Sequence, residues 1–114
     1  MTFRRWDVLA GPLPYLEGYE VKRRPALVVS TNDYHDSHKC CFAAMVTTAR
    51  NIQDVRRDDI VIDDWAGVGL PSPCVVRLAR LATFDAGRNI RRIGTLGVKE
   101  RRAVGALIKR WFGI

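Results

Sequence analysis

At 114 residues, with 47% hydrophobic and 27% charged side chains, the chain has room for one real core but not two, and it is too apolar to be disordered. Its formal charge of +7 is unevenly spread: residues 1–76 carry 9 Lys+Arg against 10 Asp+Glu, whereas residues 77–114 carry 10 against 2. That basic final third points to a polyanionic partner, nucleic acid or an acidic protein segment, and the absence of any apolar run near the ~20 residues of a membrane span excludes a helical membrane protein.

Along the chain, Trp6, Val8 and Ala10 alternate with their neighbours as a short half-buried strand does. The stretch GPLPYLEGYEVK, residues 11–22, holds two Gly and two Pro and reads as a long exposed loop. PALVVS is an apolar run of strand length, introduced by Lys22, Arg23 and Arg24. TNDYHDSHK reads as a polar turn region, and CCFAAMVTT, residues 40–48, as a second apolar strand ending in two threonines. DDIVID forms a short strand, GVGLPSP a loop, CVVRLARLATFD one or two strands with a bend, and NIRRIGTLG a further short strand. From Val98 the period changes: Val104, Leu107, Ile108, Trp111 and Phe112 fall at helical spacing on one stripe. Five to seven short strands and one terminal helix, without repeat or linker, make a small, mainly β barrel or sandwich in a single domain, 1–114.

The N-terminus, MTFRRWDVLAGPLPY, lacks the apolar core of a signal peptide. Cys40, Cys41 and Cys74, an odd set with two adjacent, form no legible disulfide framework. A soluble cytoplasmic protein is the expectation.

KRRPALVVS, followed by FAAMVTT and then GLPSPCVVRLARLATFD, resembles the MazF/PemK family of toxins from toxin–antitoxin pairs. The ordered set, with WDVL ahead of it and an amphipathic helix behind, spans nearly the whole chain. The resemblance implies an SH3-like β-barrel with a C-terminal helix, a homodimer, and metal-independent, sequence-specific cleavage of single-stranded RNA without a cofactor. It also implies inhibition by a cognate antitoxin that inserts an acidic, flexible segment. Two positions depart from the pattern. Trp6 stands before Asp7 where the family often has glycine, and Ala79 stands two residues after Arg77 where several members have an acid.

Cutting RNA without a metal can use the neighbouring 2′-hydroxyl as nucleophile, so the site must hold a phosphate and stabilise charge on its oxygens. Arginine suits both tasks, being permanently charged and forked to match phosphate. Arg24 matches the family's catalytic arginine, and Pro25 biases it toward extended geometry. By itself, the charge run also reads as a solvated ramp that discourages edge pairing. Lys22 and Arg23 are the accompanying phosphate-positioning charges. Thr47 is the matching threonine, whose hydroxyl can hold a phosphate oxygen, with Thr48 as the alternative alignment. Arg77 matches an arginine of PemK-type members; it either faces inward, where it needs an anion, or points to solvent. Tyr15 and Tyr19 either stack on unpaired bases or pack the 11–21 loop onto the barrel, Glu20 is the acid nearest KRRP, and Arg80 completes the expected RNA-binding set. His35, His38, Cys40 and Cys41 fit no familiar zinc spacing, so no metal is expected, and Cys74 reads as a small buried hydrophobe. The competing expectation is a binding module on the same barrel that takes nucleic acid or a protein without cutting.

Overall fold

The computed structural model describes residues 3–12, 23–85 and 90–114. Six strands form one antiparallel sheet in the order β4-β5-β3-β2-β1-β6. They are β1 (Asp7–Pro12), β2 (Arg23–Val28), β3 (Cys40–Thr48), β4 (Ile60–Val61), β5 (Cys74–Asp85) and β6 (Arg91–Thr95). The 15-residue helix α3 (Val98–Phe112) closes the chain. This is the mainly β fold with a terminal helix that the sequence leads one to expect.

Period-two alternation sorts the central strands onto two buried faces. On one, Val8, Leu27, Ala44, Val46, Val76 and Leu78 pack with Val104 and Leu107 of α3. On the other, Leu9, Ala26, Val28, Cys41 and Ala43 pack under Phe3, with Ile90 at the margin. Burial on both faces explains why PALVVS and CCFAAMVTT read as continuous apolar runs rather than alternating ones.

Two short helices depart from the expected loops. Residues 31–39 form α1 (Asn32–His38): the Thr31 hydroxyl accepts from the Tyr34 backbone N–H, and Lys39 ends the helix in a left-handed conformation. Its one buried residue, His35, anchors an otherwise polar turn that carries no periodic signal. The second, α2 (Trp65–Val68), is capped by Asp64 and Gly69. β1 also runs on through Gly11 and Pro12, two residues into the expected loop. β5 is one strand, in which residues 78–80 bulge between the pairs Met45↔Arg77 and Ala44↔Leu81.

α2 holds the two edges of the curled sheet together. It follows β4 and presses its backbone on β6, so that a Cβ placed on Gly94 would lie 1.9 Å from the Val68 carbonyl oxygen. On the β1 side of β6, the buried Asp7 carboxylate accepts from the Arg4 N–H, the Arg92 Nε–H and the Thr95 hydroxyl. Trp6, just before it, sits at φ 75°, a conformation that suits glycine and costs a bulky residue about 1–2 kcal/mol. Its backbone nevertheless bridges Val28 and Leu96, and its ring packs on the core beneath the Arg5 guanidinium, which offsets that strain.

Gly94→Ala drives a methyl group into a backbone carbonyl, which overpacks the junction. We expect a loss of at least about 1–3 kcal/mol, read from the urea midpoint.

Candidate functional site

β2 enters the sheet at its basic-proline sequence. Val29 N donates to Phe42 O, so residues 29, 27 and 25 direct their backbone groups toward β3 by alternation. Pro25 has no N–H to give in that direction, and the β2–β3 ladder ends at Ala26↔Met45. Toward β1 the pairing continues, through Gly11↔Arg24 and Pro12↔Arg23. Proline thus releases the β3 side of β2 at the point where Arg24 stands.

Two residues beyond the last β2–β3 pair, alternation puts Arg24 on the sheet face of Ala26 and Val28, and Thr47 on that same face with Ala43 and Met45. Thr47 pairs in turn with Val75, and Val75 with Val61. One transverse row, Gly11–Arg24–Thr47–Val75–Val61, therefore crosses the sheet on the face away from α3. Sharing one face of adjacent strands just past their last pair, the long Arg24 side chain and Thr47 can act on one group. Both are half-buried. Among the described residues, no side-chain partner holds the Arg24 guanidinium or the Thr47 hydroxyl. Thr48 points to the other face, its hydroxyl 3.4 Å from Ser72 Oγ, so only the first of the two threonines shares a face with Arg24.

Arg77 also lies on the Arg24 face, diagonal to Thr47 through the pair Met45↔Arg77. Of its two sequence readings, inward or solvent-facing, the structure adopts the inward one. Its guanidinium is gripped by Asp59, through Nε at 3.2 Å and Nη2 at 2.9 Å, and Nη2 also donates to the Asp54 carbonyl at 3.1 Å. Side-chain exposure is 10% for Arg77 and 2% for Asp59, so Nε and Nη2 of this fork are committed to a partner inside the protein. Asp59 was missed in the sequence because nothing local marks an acid 18 residues away as the partner. The pair fastens the β3–β4 connection, with exposed Arg50, Arg56 and Arg57, beside the transverse row. Arg80 is exposed in the β5 bulge. Tyr15, Tyr19, Glu20 and Lys22 lie outside the described residues, as does the Arg23 side chain. The described residues that flank them, Pro12 and Arg23, pair at the end of the β1–β2 ladder, next to the row.

The histidines and cysteines do not converge. His35 Nε2 is 2.7 Å from Ser30 Oγ, which also accepts from the Phe42 N–H, while His38 stacks on Tyr34. Cys40 Sγ is 3.3 Å from the Tyr34 hydroxyl, and Cys41 is wholly buried. Burial pushes the Cys41 thiol up to about 12 and raises that of Cys74, which keeps both protonated and unreactive near neutrality.

A family model described as "PemK-like, MazF-like toxin of type II toxin-antitoxin system" matches residues 4–112. No curated protein matches the chain. Among solved structures, the Mycobacterium tuberculosis toxin MazF-mt6 superposes with a TM-score of 0.71 at 23% identity, covering 95% of this chain and 97% of that one. A MazE–MazF structure from Deinococcus radiodurans gives 0.74 at 19% identity, with 100% and 99% coverage. An endoribonuclease in complex with its cognate antitoxin, from a mycobacterial species, gives 0.73 at 16% identity, with 100% and 97% coverage.

Asp59→Ala leaves the buried Arg77 charge without its anion. We expect a loss of about 3–5 kcal/mol by chemical denaturation, whereas Asp63→Ala, which breaks the exposed pair with Lys99, leaves the midpoint nearly unchanged. A second expectation concerns pH. Burial lowers the His35 pKa below its ordinary 6.5, so above 6.5 the folded and unfolded chains are both neutral there. As pH falls through 6.5 toward the lower folded value, the unfolded chain takes up the proton first and stability drops. His35→Gln should flatten that part of the stability–pH curve.

Proposed function

Because the chain belongs to the PemK-like, MazF-like toxin family of type II toxin–antitoxin systems, we propose that it is a metal-independent, sequence-specific endoribonuclease acting on single-stranded RNA in the cytoplasm. One observation carries the reading: a half-buried arginine without a side-chain partner among the described residues shares a sheet face with an unbonded threonine on the next strand, at the point where Pro25 ends the ladder between them. An uncompensated guanidinium in a partly dehydrated position is a ready anion site, and a phosphodiester supplies the anion.

In the proposed reaction a 2′-hydroxyl attacks the adjacent phosphorus. The P–O5′ bond breaks, leaving a 2′,3′-cyclic phosphate and a 5′-hydroxyl. One proton leaves the attacking oxygen and one reaches the departing oxygen. Arg24 holds the non-bridging oxygens and stabilises the charge that grows on them. Thr47 donates its hydroxyl to the same phosphate and fixes its orientation. The sequence reading grouped Arg77 with these two. Its guanidinium is committed to Asp59, and in this proposal it positions the β3–β4 connection rather than touching the phosphate. Arg23, Lys22 and Arg80 supply neighbouring positive charge, Tyr15 and Tyr19 stack on unpaired bases, and Thr48 stays on the opposite face.

The proposal includes a second copy of the chain and a cognate antitoxin. In favour of a protein interface, an apolar groove of about 480 Å3 opens between β3, β5 and the end of α3, lined by Phe42, Leu81, Ile108 and Phe112. Trp111 and Ile114 beside it are also exposed. Exposed apolar surface of this extent marks an interaction site more often than a free face. No helix among the described residues is long and apolar enough to cross a membrane.

The test is cleavage of a single-stranded RNA in EDTA, with separation of the products. Wild type should cut it and leave a 2′,3′-cyclic phosphate, and duplex RNA should resist. Arg24→Ala should lose about 10²–10³ in rate with unchanged melting, and Thr47→Ala less. An RNA that is bound but never cut by well-folded protein would overturn the nuclease reading in favour of the binding module.

A further inference from the structure

The transverse row does not end at Thr47. Its last two members, Val75 and Val61, form part of the wall of a cleft of about 310 Å3 at the β4 edge of the sheet. Arg50, Asn51 and Ile52, from the connection that Arg77 and Asp59 fasten, line it together with Trp65 and Asp63. We propose that this cleft receives the base next to the scissile phosphate and sets the sequence preference at that position. This inference rests on the nuclease reading of Arg24 and Thr47.

Three features converge on a nucleobase. The first is reach. Neighbouring strands lie about 4.8 Å apart, so Val75 and Val61 stand about 5 and 10 Å from the Thr47 strand, within a nucleotide of a phosphate held at Arg24 and Thr47. The second is surface chemistry. Trp65 is a partly buried indole, and Ile52 is an apolar side chain left 84% exposed at the same cleft; together they offer a flat ring somewhere to lie. The third is the polar set. Arg50 carries a donor fork, Asp63 a carboxylate that is 57% exposed even while it pairs with Lys99, and Asn51 an amide. Donors and acceptors around an apolar slot are what reading a base edge requires. The volume lies at the small end of ligand sites, suited to one planar group rather than an extended peptide.

The β3–β4 connection also has the right charge. Arg50, Arg56 and Arg57 are all exposed, and no ion pair among the described residues engages them. A polyanion lying along the row meets those cations as it passes the cleft. The buried Arg77–Asp59 pair then gains a purpose: it fixes the loop so that the cleft keeps one shape and can discriminate between bases.

The experiment is a random-sequence RNA pool cut by wild type, Arg50→Ala, Ile52→Ala and, as a distant control, Arg102→Ala, with the new 5′ ends sequenced. Wild type should show a base preference at a position beside the cut. Arg50→Ala and Ile52→Ala should reduce that preference by about 5- to 150-fold and leave the other positions unchanged, and Arg102→Ala should alter none. Unchanged preferences in both cleft variants, at whatever rate, would overturn the inference and leave the nuclease reading standing. A second measurement separates the two claims. Arg24→Ala protein, slowed about 10²–10³-fold, is titrated with short oligoribonucleotides that differ at one base, and intact RNA is confirmed after binding. Base-selective binding that disappears on adding Arg50→Ala supports the cleft even if wild type proves unable to cleave; equal binding of all four bases overturns it.

Discussion

The register that sets Ala26 opposite Met45 and Val28 opposite Ala43 is the constraint on which the rest of this structure depends. β2 and β3 are buried on both faces, so a slip of one residue would exchange the α3-facing core with the face beneath Phe3. The same slip would take Thr47 off the face of Arg24. Site and core are specified by one pairing, and tight packing of alanines at 26, 43 and 44 between larger side chains holds it in place. Pro25 then ends that pairing one residue before Arg24, so the strand that the core aligns most strictly is also the one released at the site.

Charge is used in two ways. Arg77–Asp59, Arg92–Asp7, Lys99–Asp63 and Arg110–Asp58 each join a cation of the basic last third to an acid of the first two-thirds. The lopsided charge along the sequence is therefore partly an internal matter: the two parts of the chain neutralise each other when they fold. The exposed members of this set contribute little to stability, and the buried Arg77–Asp59 pair matters more for what it locks than for net energy. Of the cations outside these pairs, Arg24 and those of the β3–β4 connection lie around one row of the sheet. Where the excess charge sits says more about a polyanionic partner than the total of +7 does.

Trp6 illustrates how a local rule yields to packing. Its left-handed backbone is where glycine would be relaxed, and the departure from Gly-Asp visible in the sequence falls on that residue. The indole compensates by covering the core edge, while Asp7 beside it ties β1 to β6 through Arg92 and Thr95. Strain at one residue is tolerated because backbone hydrogen bonds to Val28 and Leu96 and the Arg5 contact on its ring determine its position together.

The sequence by itself determined the strand-rich fold and the terminal helix, because apolar period and proline are local properties of the chain, and its resemblance to the toxin family singled out Arg24 and Thr47 as candidates. It left Thr47 and Thr48 as alternatives, since choosing between adjacent residues needs the face each one occupies. It also left Arg77 poised between solvent and interior. Helix α1 escaped notice because a seven-residue helix with one buried side chain has no stripe to read, and its Thr31 cap lies in a stretch that looks like any polar turn. What only the tertiary structure decided was adjacency: that Asp59 reaches Arg77 from the β3–β4 connection, that Val75 and Val61 carry the Arg24–Thr47 row to a cleft, and that α2 locks β6 through Gly94. Those contacts join residues far apart in the chain, and strand register, a property of the whole sheet, is what brings them together.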